Sequence, residues 1–216
     1  MFTKSTTITI SNTGNAEINI RYSDGTEKIK VMPVISLCRL LQSLELTSGQ
    51  PLGEMPAGYV MANYADPKNF SVVLKIPELN CPVQYMGKLY KSIPYPELCF
   101  TLKYTSGQLN ESRVYAVRDE NTLCYYPYGN VYESGKICWG GYQHKLVDSI
   151  KDSELTAQKF YELPTNNDLW SRSHVNHDVG VLSNMYEILE GKHSFPSQWL
   201  VPIDGVNING LLNYVP

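Results

Sequence analysis

Apolar and polar residues alternate with a period of two at the start of the chain. Thr6, Ile8 and Ile10 share one register, and Ile18, Ile20 and Tyr22 share another, as in strands with one covered face. Asn12-Thr13-Gly14-Asn15 and Ser23-Asp24-Gly25-Thr26 are turn sequences, the second with the Asp-Gly pair favoured in hairpins. Residues 3–32 therefore predict a small antiparallel meander. After Pro33 the period lengthens. Val34, Leu37, Cys38, Leu41 and Leu44 fall on one helical stripe, which should stop near Ser48-Gly49.

Pro51, Gly53, Pro56 and Gly58 then mark a loop leading into a short strand at Tyr59-Val60-Met61. A better strand spans residues 70–76, bounded by Pro67 and Pro77, and Val83-Gln84-Tyr85-Met86 is expected to pair with it. Residues 98–104 alternate well, Ser106-Gly107 turns the chain, and residues 112–117 return. Further on the pattern is helical: residues 148–162 with Ile150, Leu155 and Phe160 inward, ending near Pro164, and residues 179–189, stopped by Gly191. The tail, residues 195–216, is apolar but holds Pro196, Pro202 and Pro216, so irregular chain is expected there. Strands joined by short polar turns, followed by helices, predict an α+β fold: an antiparallel β-meander with flanking helices. The division expected is an N-terminal β-hairpin extension, residues 1–32, packed on a core domain of residues 33–216.

Composition narrows the function classes. The chain has 216 residues, 43% hydrophobic and 18% charged, with a formal net charge of -3. That balance is ordinary for a globular protein. It disfavours nucleic acid as the main partner, because phosphate binding calls for a basic patch. No apolar run approaches the roughly 20 residues that span a bilayer. The first residues lack the layout of a secretory signal, so a cytoplasmic protein with no membrane partner is the expectation.

Five cysteines, Cys38, Cys81, Cys99, Cys124 and Cys138, show no Cys-x-x-Cys spacing, so neither a disulfide framework nor a zinc site is implied. Four of them read as reduced, weakly polar packing residues. The sixteen tyrosines allow two readings. They suit half-buried positions with the ring packed and the hydroxyl wet, and they also suit an aromatic rim for a protein partner.

Cys138 stands apart because of its surroundings. Asn130 lies eight positions before it, and Glu133-Ser134-Gly135-Lys136 between them is a turn signal. Ile137-Cys138-Trp139 is too short for a helix and runs into Gly140-Gly141, where no side chain obstructs the backbone. The local reading is a thiol on a short extended segment beneath a folded-back loop that carries an amide. A thiol nucleophile with an amide to steady the developing oxyanion suits acyl transfer through a thioester.

The run from Asn130 to Cys138 resembles the active-site segment of ubiquitin-conjugating enzymes: His-Pro-Asn, about four variable residues, Gly, any residue, Ile or Val, Cys. Asn130, Gly135, Ile137 and Cys138 fall in register without a gap, while Tyr128 and Gly129 replace the His and Pro. Ile93-Pro94-Tyr95-Pro96-Glu97-Leu98-Cys99-Phe100 and Asn121-Thr122-Leu123-Cys124-Tyr125-Tyr126-Pro127 are similar to a bacterial branch of that superfamily. That branch comprises prokaryotic family D and the PRTRC system protein B proteins. The resemblance covers about residues 85–180.

The resemblance implies a ubiquitin-conjugating-like fold for the core domain. It also implies a ThiF-type activating enzyme and a ubiquitin-like protein as partners, with an acceptor protein or other nucleophile receiving the acyl group. Cys138 would carry the thioester, with Asn130 supporting the oxyanion or bracing its own loop. No metal or organic cofactor is expected on this chain, since ATP is consumed by the activating partner. Tyr128, in the place of the His, would close the loop by stacking or through its hydroxyl, and Gly135 would allow the turn. Conjugating enzymes often place an acidic or polar residue about thirty positions after the Cys, where Asn166, Asn167 and Asp168 stand. Asp168 is the candidate to assist the acceptor. His174 and His177, followed by Asp178, are either acid–base groups beside the site or structural histidines. An ordinary thiol titrates near about 8.5, leaving enough thiolate for exchange with an already activated acyl group. Two rival readings remain: an inactive scaffold of the same fold binding a ubiquitin-like partner, and a cysteine hydrolase pairing Cys138 with His144, His174 or His177.

Overall fold

The structure, a computed structural model, describes residues 3–11, 14–38, 58–119, 122–208 and 211. The chain forms two compact units, residues 1–49 and 50–216.

In the first unit, β1 (Thr3–Ile10), β2 (Asn15–Tyr22) and β3 (Glu27–Pro33) form an antiparallel three-stranded sheet in that order, as the alternation predicts. Ile8 faces Ile18 and Ile10 faces Ala16 in register, so one face collects the apolar residues. Ala16, Ile18 and Leu37 form its buried core. The Asp-Gly turn closes with the Tyr22 amide donating to the Thr26 carbonyl at 2.9 Å, while the Asp24 carboxylate accepts from the Thr26 amide at 2.9 Å. Residues 34–38 are helical, with Leu37 buried and Cys38 exposed. The remainder of the expected stripe, Leu41 and Leu44, its stop at Ser48-Gly49, and the loop with Pro51, Gly53 and Pro56 lie outside the described residues.

The second unit is built on β4 (Tyr59–Asp66), β5 (Asn69–Ile76), β6 (Leu79–Tyr85), β7 (Lys88–Tyr95), β8 (Leu98–Thr105), β9 (Gln108–Arg118), β10 (Thr122–Cys124) and β11 (Pro202–Asn207). A six-stranded sheet runs β11-β10-β9-β8-β5-β4, antiparallel throughout, and β6 and β7 form a separate hairpin. Helices α1 (Asp152–Phe160) and α2 (Leu182–Leu189) follow. The result is an α+β arrangement of antiparallel sheets and helices.

Four expectations need correction. Val83-Gln84-Tyr85 pairs with β7, not with β5, because Met86 and Gly87 take φ of 45° and 87° and close a tight hairpin. Methionine gives no turn signal, which hid it. Helix α1 starts at Asp152 rather than 148, where the Asp152 carboxylate accepts from the Asp148 and Ser149 amides at 2.9 and 3.0 Å. Its buried face is Ser153, Thr156, Ala157 and Phe160, and Leu155 is 64% exposed. Tyrosine hydroxyls favour the small polar face: Tyr59 shares a hydrogen bond with Ser153 Oγ at 2.7 Å, and Tyr104 donates to Thr156 Oγ1 at 2.8 Å. Finally, the tail supplies edge strand β11, which opens at Pro202, a position where a missing N–H is tolerated.

Aromatic rings fill the main core. Tyr95, Tyr126, Tyr128, Phe160, Tyr161 and Tyr186 are all buried and contact one another through tilted, stacked or edge-on pairs. Most of the tyrosine excess is thus structural.

Candidate active site

The chain leaves β10 through the core before it reaches the surface. Tyr126 and Tyr128 are buried, and the Tyr128 hydroxyl donates to the Pro94 carbonyl at 2.6 Å while its ring stacks on Tyr186. The following residue must be small. A β-carbon on Gly129 would stand 2.7 Å from the Asn166 carbonyl oxygen. Asn130 then takes a φ of 69°, a left-handed conformation that asparagine tolerates better than most side chains.

Residues 130–138 form a miniature hairpin. Val131 bridges Ile137, flanked by the Tyr132 amide donating to the Lys136 carbonyl at 2.9 Å and the Cys138 amide donating to the Asn130 carbonyl at 2.8 Å. Val131 and Ile137 are each 3% exposed and anchor the loop in the core. Asn130 and Cys138 are the next opposed pair along this ladder, and both line one surface cavity. The return arm is tied to β9: Ile137 donates to the Ser112 carbonyl at 3.1 Å and Val114 to the Gly135 carbonyl at 2.9 Å. Trp139 Nε1 donates to Ser112 Oγ at 2.8 Å.

The cavity holds about 720 Å³. Cys138 is half-buried and lines it. Trp139, Gly140, Gly141 and Tyr142 form one wall, and Leu163 and Pro164 belong to another. Asn130 Nδ2 donates to the Pro164 carbonyl at 2.9 Å, strapping the hairpin to the chain that follows α1. Asp168 is exposed on the rim, where Asn166 Nδ2 donates to its Oδ2 at 2.9 Å. Lys159 and Glu162, an ion pair, complete the lining together with the half-exposed ring of Tyr132.

The structure therefore brings Asn130, Cys138 and Asp168 to one cavity. It leaves Tyr128, Gly135, His174 and His177 out of the lining. Tyr128 belongs to the core. Gly135, with a φ of 82°, shapes the turn. His174 is buried and stacked on Tyr125 at 4.4 Å, where burial lowers its pKa and Glu133 opposes part of that shift. His177 stacks on Trp199 at 4.0 Å. His144 packs edge-on against Trp139 at 4.2 Å, and burial lowers its pKa too. Among the described residues no group of His, Cys, Asp or Glu is placed to hold a metal ion.

Sequence reasoning missed Lys159, Glu162 and the Pro164 carbonyl. Lys159 sits in the last turn of a helix whose face was misassigned, and Glu162 in the turn that follows it. A main-chain acceptor leaves no mark in side-chain patterns.

Of the other thiols, Cys38, expected as a packing residue, is exposed. Cys99 is fully buried and its pKa is pushed up to about 12 by desolvation, and burial also raises Cys81 and Cys124. The cavity thus offers a half-buried cysteine, an asparagine lining the same space, and a wall of two glycines where an extended chain can approach the backbone.

The chain is a prokaryotic E2-like protein by its match to a family model. The model of prokaryotic E2 family D matches residues 46–203, and the chain belongs to that family. Comparison with curated proteins and with solved structures gives no match. Membership carries a ubiquitin-conjugating-like role, exercised with an activating enzyme and a ubiquitin-like protein. Among the described residues no helix is long and apolar enough to cross a membrane.

Proposed function

We propose that this chain, a bacterial protein with a ubiquitin-conjugating-like core, carries a ubiquitin-like protein as a thioester on Cys138. The acyl group comes from a ThiF-type activating enzyme. The observation that carries this reading is a half-buried thiol opposed to Asn130 in one 720 Å³ cavity. Cys138 sulfur attacks the activated C-terminal carbonyl, and the activating enzyme's leaving group departs. An amine or hydroxyl of the acceptor then attacks the new thioester, its proton passes to a base, and the bond between the Cys138 sulfur and the acyl carbon breaks to release the thiolate. Asn130 has two amide hydrogens. One is engaged by Pro164, and the second supports the oxyanion. The exposed Asp168 carboxylate on the rim receives the acceptor's proton.

The test mixes the protein with its activating enzyme, the ubiquitin-like protein and ATP, then resolves the products on a non-reducing gel. A thiol-sensitive adduct that disappears in Cys138→Ala supports the carrier. Binding with no adduct points to a scaffold. Turnover of an isolated ester or amide points to a hydrolase.

A further inference from the structure

The chain leaves β5 at Ile76, and Pro77-Glu78 carries it into the β6–β7 hairpin, which is separate from the six-stranded sheet. Where the two part, a second cavity of about 670 Å³ opens. Its volume falls within the roughly 300–1,000 Å³ usual for ligand sites. Leu74 and Ile76 of β5 and Leu79 and Leu89 of the hairpin give it an apolar wall. Glu154 and Gln158, four residues apart on one face of α1, add polar groups. The ring of Tyr59 lines it too, while the Tyr59 hydroxyl donates to the Ile150 carbonyl at 2.9 Å and lies 2.7 Å from Ser153 Oγ. Strand β4 is thereby tied to the start of α1, which holds the cavity open without a ligand. Among the described residues it shares only Glu162 with the cavity of Cys138.

Charge decides what fits. The charged residues of the lining are Lys75, Glu154 and Glu162. Lys75 is ion-paired with Glu97, and Glu162 with Lys159. Glu154 is half-buried and, among the described residues, has no ion-pair partner. A carboxylate partly withdrawn from water gains from a cation brought to it in the same low-dielectric setting. An anion would meet Glu154 and Glu162 and be repelled. Apolar wall and lone carboxylate together select an amphipathic cation, and a space bounded by β5, the hairpin and α1 keeps it small.

We propose that this cavity is a binding site for a small organic amine. Its flat apolar body lies against Leu74, Ile76, Leu79 and Leu89, and its protonated amino group sits on the Glu154 carboxylate. The occupant is bound and released unchanged. It takes no part in the chemistry of Cys138, and the site stands whether or not that thiol carries an acyl group. Glu162, common to both linings, places the bound amine beside the thioester cavity without filling it.

Monodansylcadaverine, a naphthalene fluorophore ending in a primary amine, is the probe. Dansylglycine, which ends in a carboxylate instead, is its control. Fluorescence polarisation on the whole protein should show saturable binding of the amine, with dansylglycine weaker by about tenfold or more. Glu154→Gln keeps the shape of the side chain, removes its charge, and should weaken the amine about tenfold. Gln158 and Leu89 are exposed, so both positions tolerate replacement. Gln158→Trp should fill the space and abolish binding, and Leu89→Arg should weaken it about tenfold by setting a cation on the apolar wall. Circular dichroism establishes that each variant is folded. Tyr142→Ala, which removes a wall of the thioester cavity, should bind the amine like the parent. Absence of saturable binding overturns the proposal. So does equal binding of dansylglycine, unchanged affinity in folded Glu154→Gln or Gln158→Trp protein, or loss of binding in Tyr142→Ala, which would put the probe in the cavity of Cys138. Thioester formation is scored in a separate reaction, so its failure leaves this result standing.

Discussion

A β-carbon placed on Gly135 would stand 2.6 Å from Cε1 of the Tyr115 ring. The Tyr115 hydroxyl also donates to the Ser134 carbonyl at 3.3 Å, so one side chain of β9 closes against the turn that carries the thiol arm. Gly135 answers two constraints there, the missing β-carbon and a φ of 82°. Gly135→Ala should lose about 1–2 kcal/mol from the left-handed conformation and about 1–3 kcal/mol from displacing the ring. In a Tyr115→Ala background the second loss should vanish and the first remain. A double-mutant cycle by urea unfolding measures both; equal cost in the two backgrounds would show that the ring contact carries no energy.

Asn130 serves backbone and side chain at once. Its φ is 69° and its carboxamide donates to the Pro164 carbonyl. Asn130→Gly keeps the backbone conformation and deletes only the amide. Stability should fall by about 0.5–1.5 kcal/mol for the lost hydrogen bond. Discharge of a preformed Cys138 thioester to an amine should slow by about 10²–10³-fold, as for loss of an oxyanion donor. Single-turnover discharge measured beside urea unfolding separates the two roles. Normal discharge in the glycine variant would leave Asn130 as a loop brace alone.

Tyr128 occupies the place where ubiquitin-conjugating enzymes have histidine, and it works as a packing residue. It is 1% exposed, and its hydroxyl is bonded to the Pro94 carbonyl. Tyr128→Phe should cost about 1–3 kcal/mol, because that buried carbonyl loses its donor. Tyr128→Ala should cost about 3–5 kcal/mol, since the cavity adds to the lost transfer energy. Urea midpoints at a fixed slope test this. A Phe variant as stable as the parent would mean that the carbonyl finds another donor.

The sequence was readable where a pattern repeats or where two chemical groups flank a turn. Strands β1, β2, β8 and β9 alternate visibly. Asn130 and Cys138 are set at a spacing that a tight hairpin brings together. What stayed hidden depends on partners distant in the chain. Helix α1 buries Ser153 and Thr156 because Tyr59 and Tyr104 reach them, so a stripe drawn on hydrophobicity selected the exposed Leu155 instead. His174 and His177 looked like one chemical group, yet Tyr125 and Trp199 hold them as separate stacked rings.

Acid should destabilise the fold through two of the histidines. Burial holds His144 and His174 below the ordinary imidazole value of about 6.5, so the native state keeps them neutral after the unfolded chain has begun to take up protons. The unfolded state then binds more protons, and stability falls as pH drops. Their contribution is complete above about 6.5 and is lost from there down through the folded values. His144 Nε2 is buried and, among the described residues, without a hydrogen-bond partner, so His144→Phe keeps a ring against Trp139 and Tyr142 while removing the titration. Melting temperatures taken from about pH 8 to about pH 5 should decline below about 6.5 in the parent and decline less in His144→Phe. His174→Phe, which keeps the stack on Tyr125, should flatten the remainder. An unchanged pH slope in both variants would place the acid sensitivity elsewhere in the chain.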